Sequence, residues 1–266
     1  MTDTSTAVEA IEALALKSQI PRVADDGCEI PFVIVNDNQS IADLETLLPA
    51  PTRKRGNTVL RDEASFCKFV LTHAGTSTCV YGAKNPPAFE AVFNDHNRLE
   101  PGWRDHRASY PCPLSVEWLK WTGADGKQMK QADFAKFIED NALDCRAPDS
   151  ATMIEISRTL EAKKKVNFAS GIRLSNGENE LTFEETITGT ASKGKVQIPE
   201  LFTIGIPVLD GGAVYEVTAR LRYRIGDGTL TMWFDLVRPH KIMEHAANEL
   251  WQRIETALNV TVFNGG

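Results

Sequence analysis

Apolar positions along the chain alternate between two spacings, one near the helical repeat and one near the two-residue repeat of a strand, and the changes of spacing mark the elements. From Thr6 to about Ser18, the residues Val8, Ile11, Leu14 and Ala15 keep helical spacing behind a capping box of Thr6 and Glu9, which predicts a short amphipathic helix. A strand is expected over Glu29 to Asn36, and Ser40 caps a short helix that ends at Pro49. Asp62 then caps a helix with Phe66, Phe69 and Val70 turned inward and His73 near its end. Ser77 to Tyr81, Phe89 to Asp95 and Trp103 to Tyr110 read as three antiparallel strands separated by Gly, Pro and Asn turns.

The middle of the chain is helical in pattern. One helix runs from Pro113 to Gly123, a second from Ala132 to Asn141 with Phe134, Phe137 and Ile138 on one face, and a third from Pro148 to Lys165. After that the two-residue period returns. Val166 to Ser175 and Leu181 to Thr188 form a hairpin pattern that puts Phe168, Ile172 and Leu174 on one face with Leu181, Phe183 and Ile187. Val196 to Ile198 and Phe202 to Val208 are shorter strands next to Pro199 and Pro207, which suggests edges or bulges.

Val214 to Ile225 and Leu230 to Val237 flank Asp227-Gly228, a pair suited to a two-residue hairpin turn. That turn sets the register: Ile225 faces Leu230, Tyr223 faces Met232, Leu221 faces Phe234 and Ala219 faces Leu236, so every pair on one face is apolar. The other face then pairs Arg224 with Thr231, Arg222 with Trp233 and Arg220 with Asp235, a row of guanidiniums about 6.6 Å apart. Pro239 starts a last helix whose stripe of Ile242, Met243, Ala246, Leu250, Ile254 and Leu258 is suited to cover the apolar side.

The fold class expected from this succession is α+β, with two antiparallel sheet units joined by a helical middle and a C-terminal meander covered by a final helix. The expected division is an N-terminal helix and linker over 1–28, an α+β unit over 29–125, and a helical segment with the C-terminal sheet and closing helix over 126–266.

Composition narrows the functional classes. No apolar run among the 266 residues approaches the roughly 20 needed to span a bilayer, and MTDTSTAVEA lacks the basic and apolar regions of a signal peptide, so a cytoplasmic site of action with no membrane partner is expected. A net charge of −7 opposes diffuse attraction to nucleic acid, so any polyanion site must be a local patch. The five cysteines are widely spaced and form no CxxC pair, which points to reduced, mostly buried thiols rather than zinc ligands or a disulfide framework. No phosphate-loop, dinucleotide-binding, nucleophile-elbow or HExxH motif is present, and no cofactor is expected.

Two constellations could carry chemistry. The row of Arg220, Arg222 and Arg224 beside Trp233 combines planar cations with an aromatic ring, the combination that holds phosphates and stacks bases on single-strand binding surfaces. The loop cations Arg53, Lys54 and Arg55 could extend that surface. The second is a pair of Asp-His dipeptides, Asp95-His96 and Asp105-His106, near the loop end of an expected hairpin. Converging there, the four side chains could share a divalent metal or transfer protons, although adjacent strand residues point to opposite faces.

The runs Phe89 to His96, Trp103 to Ala108, Pro113 to Trp118, Asp133 to Asn141 and Ala219 to Ile225 together resemble the YfdQ-like family of phage and prophage proteins over most of the chain from about Leu44. The resemblance brings no assigned activity and no site residues. It implies a bacteriophage-encoded accessory protein acting in the cytoplasm of a bacterial host. The expected function is a non-enzymatic, homo-oligomeric binding protein that contacts single-stranded DNA or RNA through the Arg/Trp face in DNA metabolism or recombination. The alternatives are an inhibitor that binds a host protein, such as a defence factor, and a metal-dependent hydrolase or nuclease built on the Asp-His dipeptides.

Overall fold

The computed structural model of the chain describes residues 7–13, 22–23, 31–32, 48–162, 167–187, 190–226 and 229–265. The chain divides into two compact units, Met1–Lys54 and Arg55–Gly266. In the first, helix α1 covers residues 7–13 with Val8 and Ile11 exposed, and strands β1 (Arg22–Val23) and β2 (Pro31–Phe32) pair antiparallel. Pro31–Phe32 falls within the strand expected over Glu29 to Asn36; the helix expected after Ser40 and the residue Cys28 lie outside the described residues.

The second unit is an α+β assembly whose sheets are mainly antiparallel. Its first sheet has the order β15-β4-β5-β6-β3, built from β3 (Gly56–Val59), β4 (Cys79–Lys84), β5 (Pro87–Val92), β6 (His106–Tyr110) and β15 (Val262–Asn264). The three central strands form the expected antiparallel meander. Both edges differ from expectation: β3 joins β6 and β15 joins β4 in parallel. These edge strands have three or four residues, too few to register as a two-residue period.

Two helices cover one side of this sheet. In α2 (Glu63–His73), Asp62 accepts the backbone N–H of Ser65 at 2.8 Å, and Phe66 packs on Phe89 and Tyr110. In α6 (Pro239–Leu258), proline opens the first turn and Asn259, at φ 52°, closes the last. Trp251 of α6 packs at a tilt against Phe89 and lies so close to the sheet that a Cβ at Gly82 would be 2.7 Å from the indole. Arg253 of α6 grips Glu63 of α2 with three contacts of 2.9 to 3.1 Å.

The second sheet has the order β7-β14-β13-β12-β8, from β7 (Met129–Lys130), β8 (Cys145–Ala147), β12 (Leu201–Pro207), β13 (Val214–Gly226) and β14 (Thr229–Leu236). The β13/β14 register is the one read from the turn, pair for pair from Ala219 opposite Leu236 to Ile225 opposite Leu230. Its apolar face is deeply buried. Trp121 of α3 (Val116–Ala124) meets Phe202 at 5.9 Å and Phe234 at 5.2 Å, and Phe137 of α4 (Gln131–Asp140) stacks on Phe234 at 5.7 Å. The closing helix α6 covers the start of β13, where the Tyr215 hydroxyl donates to Glu249. Thus α6 serves both sheets, while α3 and α4 cover the middle of the second.

A third sheet, β11-β10-β9, comprises β9 (Asn167–Arg173), β10 (Glu178–Ile187) and β11 (Thr190–Pro199), and follows α5 (Ser150–Ala162). It corrects two expectations. The short strand expected at Val196 to Ile198 is the end of a ten-residue strand whose polar first half hides its period. A register shift next to Phe168 sets Ile172 opposite Glu180 and leaves it 55% exposed, while Phe168 and Leu181 stay buried. One bulged residue turns the rest of a strand to the other face, so the sequence pattern assigned Ile172 to the wrong side. Gly171 lies against Tyr223, where a Cβ would come within 2.4 Å of the hydroxyl, and so couples this sheet to the second.

Candidate functional site

The face of the second sheet turned away from the core is where the cations gather. Strand alternation puts Arg220, Arg222 and Arg224 there, all exposed, with Thr231, Trp233 and Asp235 of β14 opposite them. Arg222 does not pair with its direct neighbour Trp233 but reaches diagonally, its Nε 3.0 Å from Oδ2 of Asp235. Among the described residues, Arg220 and Arg224 have no ion-pair partner. Trp233 is half-buried and shares its face of β14 with Thr231 and Asp235.

Pairing at the edges adds two cations that sequence reasoning missed. Lys130 on β7 lies opposite Thr231 and therefore on the same face, exposed. On β8, the side chain of Arg146 crosses over Gly205 of β12, where a Cβ would fall 2.5 Å from Nε; the glycine is what lets the arginine lie flat on the sheet. Both strands are only two or three residues long and sit beside helices, and no local period announces them. Among the described residues the face therefore carries five cations, Lys130, Arg146, Arg220, Arg222 and Arg224, against the carboxylates of Glu216 and Asp235. In an acidic protein this is a local reversal of sign.

Of the expected loop cations, Arg53 and Lys54 belong to the first unit, whereas Arg55 leads into β3 at the edge of the first sheet, not the second.

The Asp-His dipeptides do not converge. Asp95 is 4% exposed; it accepts the Tyr81 hydroxyl at 2.7 Å and the His96 N–H at 2.7 Å, with Arg104 Nε 3.0 Å away. Burial pushes its carboxyl up, yet these three partners outweigh burial and hold it below the ordinary value. Its hydrogen bond in turn drives Tyr81 up to about 12. His96 is exposed and takes the Gly102 N–H on Nδ1 at 2.8 Å. Asp105 turns to Asn94, which donates to it at 2.8 Å, and the His106 ring packs on Phe93 at 4.6 Å and edge-on to His73 at 5.9 Å. Each group thus serves the loop or the core next to it. No group of three or more His, Cys, Asp or Glu side chains among the described residues is placed to hold a metal.

The described cysteines are free: Cys67, Cys112 and Cys145 are buried and Cys79 is half-buried. Burial raises all four thiols, Cys112 to about 12 and Cys145 to about 11, the reverse of nucleophile activation.

Fold and site together define an α+β protein with an open, locally cationic sheet face. Residues 4–266 match the model of DUF2303, a family of uncharacterised conserved proteins, and the chain belongs to that family. No curated protein and no solved structure matches it. No described helix is long and apolar enough to cross a membrane.

Proposed function

We propose that the protein binds single-stranded nucleic acid on the outer face of the second sheet. The observation that carries this reading is the exposed row of Arg220, Arg222 and Arg224 beside Trp233, with Lys130 and Arg146 at the two edges of the same face. Alternate residues on one strand space the guanidiniums about 6.6 Å apart, a step that suits consecutive phosphates of an extended strand. An indole set among them offers a stacking surface that accepts any base. A duplex is the poorer fit, because a sheet face five strands wide enters neither groove as a helix or two-stranded ribbon does. The resemblance to phage and prophage proteins supports a role of this binding in phage DNA metabolism or recombination in a bacterial cytoplasm.

Fluorescence anisotropy with a labelled single-stranded oligonucleotide tests the reading. Wild type should bind at about 50 mM salt and weaken steeply toward 200 mM, as phosphate contacts require. Arg222→Glu should lose at least about tenfold, equivalent to 1.4 kcal/mol, with an unchanged circular dichroism spectrum. Absence of binding at low salt, or binding indifferent to the reversal, would overturn it.

A further inference from the structure

Resting on that reading of the face, we propose that Asp235 limits its affinity: the carboxylate stands where a phosphate would, and nucleic acid binds by displacing it from Arg222. Asp235 contacts Arg222 and lies directly opposite Arg220 in the β13/β14 register, so one carboxylate is held by one arginine and shares its cross-strand position with a second. Both members of the ion pair are half-exposed, 44% for Arg222 and 46% for Asp235, an arrangement in which a salt bridge adds little to the fold.

Exchange is chemically easy. A guanidinium presents several donors in a plane, and here Nε carries the contact to Asp235 while Trp233 lies next to the same arginine. A phosphate arriving from solvent offers more acceptor oxygens than the carboxylate and can be gripped by two donors at once. Once displaced, Asp235 remains beside the strand as a like charge, repelling the phosphate held by Arg220 or Arg222. The row thus binds with less affinity than its cation count would give, and releases more readily.

The test compares wild type with Asp235→Asn, which keeps the shape and removes the charge, on the same single-stranded oligonucleotide. The variant should bind about threefold to tenfold tighter at low salt, because the like charge beside the bound phosphate is gone while the number of phosphate contacts stays the same. In an Arg222→Ala background the gain should fall by about half or more, because the two residues act as one unit. If wild type binds and Asp235→Asn binds no tighter, or tightens equally without Arg222, the role of Asp235 is overturned and the interface stands. If both fold and neither binds, the interface fails and the inference with it.

Discussion

The two constellations that the sequence offers sit on different sheets and were treated oppositely by the fold. At the loop end of the first sheet, Asp95, His96, Asp105 and His106 are close in sequence, yet each is taken up by a different local partner: Tyr81 and Arg104, Gly102, Asn94, and the ring of Phe93. On the second sheet, Arg220, Arg222 and Arg224 are each separated by a residue, yet they share one face, and only Arg222 among them is ion-paired within the described residues. Adjacency in a loop disperses side chains because successive residues point in different directions; a two-residue spacing in a strand aligns them. The acidic and imidazole groups are used within the first sheet and its loop, and the guanidiniums face solvent.

Stability measurements can break that comparison. The largest effect is expected beneath the arginine face: Trp121→Ala removes a fully buried indole from between Phe137, Phe202 and Phe234, and should cost about 3–5 kcal/mol in denaturant unfolding. A much smaller loss would mean that the second sheet is not supported by α3.

Next comes Asp95→Asn, which replaces a buried carboxylate held by Tyr81, Arg104 and the His96 N–H, and should cost about 1–3 kcal/mol at neutral pH. The pH dependence has a definite sign. Because the folded carboxyl titrates below its ordinary value of 3.8, its contribution is complete above that value and disappears as pH falls through the lower, folded one. The variant should therefore lose less of its stability on acidification than wild type does, and parallel acid limbs would show that Asp95 is not held as described.

The smallest effect sharpens the contrast. Arg222→Ala should change stability by no more than about 0.5 kcal/mol, since its pair with Asp235 is solvent-exposed on both sides. A loss comparable to that of Asp95→Asn would make the arginine row a structural feature of the sheet.

Much of this molecule was legible in its sequence where the signal is local. The β13/β14 register followed from Asp227-Gly228 and an apolar face that tolerates no slip, because a shift of one residue would bury the arginines. Asp62 and Pro239 mark the starts of α2 and α6, because capping depends on a few neighbouring residues. The candidate face was half legible: its central row came from alternation along one strand, and its edges did not.

Tertiary structure alone decided what depends on residues far apart in the chain. It brought β15 back beside β4, spread α6 over both sheets, and turned Ile172 outward through a bulge that the hydrophobic pattern does not encode. It also brought Lys130 and Arg146 onto the arginine face through strands too short to have a period, and sent the Asp-His side chains apart. Local periodicity determines which face a residue occupies on its own strand. Which strands lie side by side, and so which charges share a surface, is set by the burial of the whole core.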